Sequence, residues 1–210
     1  MSVDYLTHYY MGDREPFHSL SALPDDDAIR IMVALSDDTP FGARFKQPHQ
    51  YLAARKESEA WVRAEFIAKG GRPQASFPIS CVLGSSRWLE QAAPERAIHA
   101  AICIPLALFT ADDVSFTYPD SMISRWFGRD KPAEYYQPEL HGRVFTLPEI
   151  LALVAEKGMP EEDWDSKLPV TLAPYIEAQV WNHALLAAFW RQQGSGKTGM
   201  MPAIETFRSR

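Results

Sequence analysis

The chain has 210 residues and a formal net charge of −6, with 46% hydrophobic and 23% charged residues. That balance belongs to a globular domain large enough to bury a core, and it excludes a disordered chain, a collagen and a small disulfide scaffold. It also weighs against a protein held on DNA by bulk charge, since such domains are usually basic.

No targeting or membrane segment is expected. The N-terminus carries an early Asp4 and no apolar stretch of signal-peptide length. The longest apolar run, about Ala100 to Phe109, is far shorter than the roughly 20 residues that span a bilayer. Cys81 and Cys103 fall in strand-like runs and read as buried free thiols, as in a reducing cytoplasm. No spacing of His, Cys or acids matches a metal site, so no metal is expected.

In chain order, Asp4 to Tyr10 reads as a strand, with Leu6, His8 and Tyr10 on one face. Pro24 and the acids Asp25 to Asp27 open a helix, because proline and negative charge suit a first turn. Ile29, Met32 and Val33 form its expected buried stripe, and it should end before Ser36.

The longest helix is expected from about His49 to Lys69, closed by Gly70-Gly71. Leu52, Arg55, Glu59, Val62 and Phe66 share one of its faces, which sets two opposite charges inside an apolar stripe. These are either a surface ion pair at the stripe's edge or an arginine aimed into a cleft for an anionic ligand.

Strands follow over Phe77 to Leu83, Ile98 to Ile104 and Val114 to Tyr118, with a short helical turn from Arg87 between the first two. Ser124 to Gly142 shows no period and is expected as a long loop. Its aromatic stretch Trp126 to Tyr136 is a candidate docking surface. After a brief strand at Val144 and Phe145, Thr146-x-x-Glu149 is a capping box for a helix over Leu147 to Lys157, stopped by Gly158.

An acidic loop, Glu161 to Pro174, leads to a cleanly alternating strand, Tyr175 to Trp181. Ile176, Ala178 and Val180 take one face, and Tyr175, Glu177, Gln179 and Trp181 take the other. The last helix covers about Ala184 to Gln193. The expected architecture is one α+β domain over 1–193 with a mainly antiparallel, split sheet and flanking helices, followed by a flexible tail over 194–210.

Several familiar site motifs fail on inspection. Gly194 to Thr198 imitates a phosphate loop, but Arg191 stands where its first glycine belongs and a helix precedes it where a strand should. Gly84-Ser85-Ser86 is not a nucleophile elbow. Glu177 is either the polar outer face of an edge strand or a carboxylate in an aromatic-walled cleft, where it would support positive charge on a substrate. His8 is either a satisfied structural histidine or a hydrogen-bonding group in a preformed site.

Four segments in order resemble the DarT-type ADP-ribosyltransferases, bacterial toxins that attach ADP-ribose to DNA bases. They are Leu6-Thr7-His8-Tyr9, the run from Pro78 through Gly84-Ser85-Ser86-Arg87-Trp88-Leu89, Val114 to Met122, and Tyr175-Ile176-Glu177-Ala178-Gln179-Val180. The resemblance implies a split antiparallel sheet pinching NAD in a central cleft. It implies Glu177 as the catalytic carboxylate and His8 as a ribose-holding residue. Arg55 would face phosphate or substrate, and Tyr118 would stack on nicotinamide.

Two rivals stay open. One is a non-catalytic binding domain with a protein partner, docking through Trp126 to Tyr136 or the Tyr175/Trp181 face. The other is a sugar- or nucleotide-hydrolysing enzyme pairing Glu177 with an Asp from the 112–113 or 120 region. The acidic balance lowers the prospect of a nucleic-acid acceptor. It still leaves room for one basic patch from Arg55, Lys56, Arg63, Lys69 and Arg72.

Overall fold

A computed structural model describes residues 3–12, 14–37, 42–92, 100–160, 172 and 174–194. Six strands make one sheet: β1 (Tyr5–Tyr10), β2 (Ile79–Leu83), β3 (Ala100–Pro105), β4 (Val114–Thr117), β5 (Phe145–Thr146) and β6 (Glu177–Val180). Their order is β3-β1-β2-β6-β4-β5, and every pairing is antiparallel. The helices are α1 (Asp25–Leu35), α2 (Pro48–Ala68), α3 (Arg87–Ala92), α4 (Ser121–Asp130), α5 (Leu147–Lys157) and α6 (His183–Gly194). The α+β class and the antiparallel sheet are as the sequence implied, though the strands join in one continuous order rather than two halves. The acidic loop over 161–171 and the tail from 195 lie outside the described residues.

The two sheet faces carry different chemistry. One is apolar: Leu6, Cys81, Leu83, Ile104, Val114, Phe116, Ala178 and Val180 pack with Ile150 and Val154 of α5 and Leu186 of α6. The other face is polar, and α2 lies over it with Val62 and Phe66 packed on Trp181. Beneath α2 runs a hydrogen-bonded chain. The Trp181 indole N–H donates to Ser115 Oγ (2.9 Å), Ser115 Oγ donates to Gln179 Oε1 (3.0 Å), and Gln179 Nε2 donates to Thr117 Oγ1 (2.9 Å). Each buried polar group there has its partner, so the desolvation cost is met within the sheet.

Four expectations need correction. Val33 is 59% exposed, and α1 instead buries Ala28 and Met32 against Phe45 and Leu52. Cys103 is exposed, because β3 is an edge strand, while Cys81 is buried between β1 and β6. Glu177 is not on an edge strand, since β6 pairs with β2 on one side and β4 on the other.

The fourth concerns α4, which occupies the start of the stretch read as a loop. Asp120 caps it by accepting from the amides of Met122 (3.0 Å) and Ile123 (3.1 Å). Its buried side is Ser121, Ser124 and Phe127, and two serines on that face hide the apolar period. Gly128 explains the close fit behind it: a Cβ there would stand 2.4 Å from the Cα of Gly142.

By contrast, α5 begins as its capping box implied, the Thr146 amide donating to Glu149 Oε2 at 2.8 Å. Among the described residues, no helix is long and apolar enough to cross a membrane.

Candidate functional site

A cavity of about 690 Å³ opens between the polar sheet face and the α1–α2 layer. β1 borders it along Thr7 to Tyr10, α2 contributes Tyr51 and Arg55, and β6 with the residues leading into it contributes Glu177 and Tyr175. Its size is within the range of small-ligand sites.

Strand register decides which side chains meet here. Directly opposed residues of antiparallel strands share a face. The pairs Thr7↔Val82, Val82↔Glu177 and Glu177↔Thr117 therefore put these four residues on the α2 side. His8, one residue on, belongs to the opposite face, with its Nδ1 3.9 Å from Cys81 Sγ.

Glu177 is buried, at 8% exposure. Its Oε2 accepts the Ser121 amide at 2.6 Å, which ties the carboxylate to the first turn of α4. Arg55 reaches the same space from above. Its Nε lies 2.9 Å from Glu59 Oε1 and donates to Ser21 Oγ at 3.1 Å, and its Nη2 donates to Ser80 Oγ at 3.5 Å.

Burial works against the Arg55 charge, but the Glu59 carboxylate, Tyr51 and Glu177 outweigh it and hold the guanidinium cationic. Glu59 is pushed up by burial, with Arg55 opposing that and Glu177 adding to it. The Arg55–Glu59 pair is therefore a buried pair at the cleft wall, and the arginine lines the cavity.

Asp120 stands beside this cluster. Burial and the nearby Glu177 raise its carboxyl to about 6, against the cap hydrogen bonds and Arg44. Burial likewise pushes the Tyr175 hydroxyl well above its ordinary range, with Asp120 and Glu177 adding to the effect. Three carboxylates, two arginines and two tyrosines thus gather from α2, α4, β6 and the 3-10 turn Ala43–Phe45.

The other two sequence candidates differ: His8 lines the cavity but its ring is engaged, and Tyr118 lies away from it. Both ring nitrogens of His8 are engaged with the backbone: Nδ1 lies 3.0 Å from the Ser80 carbonyl, and Nε2 accepts the Phe17 amide at 3.0 Å. That pattern fixes a neutral ring protonated at Nδ1, and burial lowers its titration to about 4. The histidine anchors Phe17, which sits at a φ of 65°, and leaves no ring nitrogen for a ribose. Tyr118 is fully buried in the apolar core and stacks on His141 with ring centroids 5.9 Å apart. It does not line the cavity. Tyr51 and Tyr175 are among the aromatic residues that do line it.

Sequence reasoning missed Tyr51 and Ser121. Tyr51 stands four residues before Arg55 on the same helical face, a spacing that was there to be used. Ser121 contributes its amide, and no side-chain motif announces a backbone donor.

One expected docking surface and the reading of the basic patch also change. Trp181 is fully buried, so the Tyr175/Trp181 face is no docking surface. Lys56 pairs with Asp25, Lys69 with Glu149 and Arg72 with Asp112, while Arg63 donates to the Ala75 and Pro73 carbonyls. These four bases are thus each tied to a partner within the fold.

Comparison with protein-family models, with curated proteins and with solved structures returns no match for this chain.

Proposed function

We propose that the cleft binds a dinucleotide of the NAD type and that Glu177 supports transfer of its ADP-ribose to an acceptor, on an ADP-ribosyltransferase-like fold. The observation carrying this reading is the buried Glu177 carboxylate, held by the Ser121 amide, facing a cavity that also presents Arg55.

The chemistry asks for those groups. When the bond between nicotinamide and ribose breaks, its electron pair leaves with neutral nicotinamide. The ribose carbon becomes cationic until the acceptor's lone pair bonds to it and the acceptor's proton is released. A fixed carboxylate beside that carbon lowers the barrier because it is oriented before the charge develops. Arg55 supplies the permanent cation for the pyrophosphate. Tyr51 and Tyr175 offer ring faces to the bases. The order of the four segments that resemble the DarT-type enzymes supports the same reading for Glu177 and Arg55. His8, with both ring nitrogens engaged, and Tyr118, buried away from the cavity, take no part.

The test is nicotinamide release from NAD, followed by chromatography, together with calorimetry of NAD binding. Turnover by the wild type that Glu177→Gln abolishes, with unchanged melting temperature, sustains the proposal. A Glu177→Gln variant with full turnover removes the assigned role. Absence of NAD binding at millimolar ligand favours a non-catalytic binding domain instead.

A further inference from the structure

The first turn of α4 holds two carboxylates on consecutive backbone amides. The Ser121 amide donates to Glu177 Oε2, and the next two amides, of Met122 and Ile123, donate to Asp120 Oδ1. Asp120 does not line the cavity, and Glu177 does. The two acids therefore have different access but one common support.

We propose that Asp120 is the positioning partner of Glu177: by capping α4 it aims the Ser121 amide at Glu177 Oε2, and its own carboxylate adds to the negative field at the cleft floor. The proposal rests on Glu177 being the carboxylate that serves the reaction. Asp120 touches no substrate and acts through the Ser121 amide and through charge.

Three observations support the arrangement. The Asp120 backbone is extended, at φ −63° and ψ 161°, which is the geometry of a residue that turns the chain into a helix. Glu177 comes from β6, so without the α4 turn nothing on its own strand would orient its Oε2. Asp120 also senses Glu177, because its carboxyl is shifted upward by burial and by Glu177.

The charged and titratable groups facing Asp120 are Glu177 on β6, Tyr175 just before it and Arg44 on the turn Ala43–Phe45. α2, packed on α4, brings Arg55 and Glu59 up to Glu177.

This geometry allows substitutions that separate orientation from charge. Asn caps a helix as well as Asp does, so Asp120→Asn keeps the turn and removes the charge. Asp120→Ala removes both. Ser121→Pro places proline at the first helical position, where it is favoured and where the preceding extended residue tolerates it, and it deletes the amide that holds Glu177 along with the serine hydroxyl.

The experiment uses the full chain and has two arms. In the first, without ligand, carbon-13 NMR of labelled aspartate carboxyls follows Asp120. We expect one resonance titrating near pH 6, absent in Asp120→Asn and moved downward by Glu177→Gln. An Asp120 that titrates like an ordinary aspartate and ignores Glu177→Gln overturns the pairing.

In the second arm, kcat and KM for NAD are measured from about pH 5 to about pH 8. We expect wild-type kcat to rise as Asp120 ionises and Asp120→Asn to lose that step. Asp120→Ala and Ser121→Pro should each lose about 100-fold in kcat with little change in KM, as expected of misplaced catalytic geometry. Wild-type kcat in both variants overturns the positioning role. A wild type with no NAD turnover defeats the reaction proposed above, and the NMR arm then decides the pairing by itself.

Discussion

Arg55 and Glu59 stand one helical turn apart on α2, with Nε 2.9 Å from Oε1, and the glutamate side chain is only 4% exposed. Breaking a buried pair strands a charge, whereas replacing both partners with apolar groups often costs little. Glu59→Leu should therefore lower stability by about 3 kcal/mol, and adding Arg55→Met should recover most of it. Urea midpoints of the two single variants and the double variant check this. A Glu59→Leu variant as stable as the wild type would show that the pair is solvated. The recovered double variant should still bind NAD poorly, because the cleft has lost Arg55, the cation assigned to the pyrophosphate.

His8 predicts a pH dependence of stability. Its folded titration near 4 lies below the ordinary 6.5, so the folded state binds fewer protons than the unfolded state between those values. Its stabilisation is complete above about pH 6.5 and falls away as the pH drops through about 4, by up to about 3 kcal/mol. His141, also lowered to about 4 by burial, acts in the same direction. Asp120 acts in the opposite direction, because a raised carboxyl weakens the fold as the pH climbs from about 4 to about 6. Denaturation midpoints across this range should show a shallower acid slope for His8→Gln than for the wild type. An unchanged slope would place the histidine in solvent.

Gly128 is expected to tolerate no side chain, although it lies within a helix where alanine has the better propensity. The Cβ of Gly128→Ala would sit 2.4 Å from the Cα of Gly142, which is backbone at a φ of 70° and cannot step aside as a rotamer does. Overpacking of this kind costs about 1–3 kcal/mol. Thermal unfolding tests it: an Ala variant more stable than the wild type would mean that α4 and the 142 turn are not in contact.

Ser115 links the polar chain beneath α2. Ser115→Ala takes away the acceptor of the Trp181 indole and the donor to Gln179 together. Leaving buried polar groups unpaired costs about 1–3 kcal/mol each. Loss of stability with a shifted Trp181 emission is the expected outcome, and an unchanged midpoint would mean that water replaces the hydroxyl.

The periodic elements were legible because their causes are local. α2 shows its stripe of Leu52, Glu59, Val62 and Phe66 within its own 21 residues, and α5 shows its capping box within four. β6 shows its alternation, so Glu177 and Ile176 could be assigned to opposite faces before any partner strand was known. α4 was not legible, since Ser121 and Ser124 take positions where an apolar period would have marked a buried face.

By itself, the sequence determined that Arg55 shares a face with apolar residues and that Glu177 stands opposite a fully apolar row. Tertiary structure alone decided where those faces point. Register across β1, β2 and β6 carries Glu177 to the side of Thr7 and sends His8 to the other, and a slip of one residue would exchange them. The backbone groups that hold these side chains, the Ser121 amide for Glu177 and the Ser80 carbonyl and Phe17 amide for His8, carry no residue-type signature. The pairing of distant strands sets both, because it depends on the whole sheet closing at once.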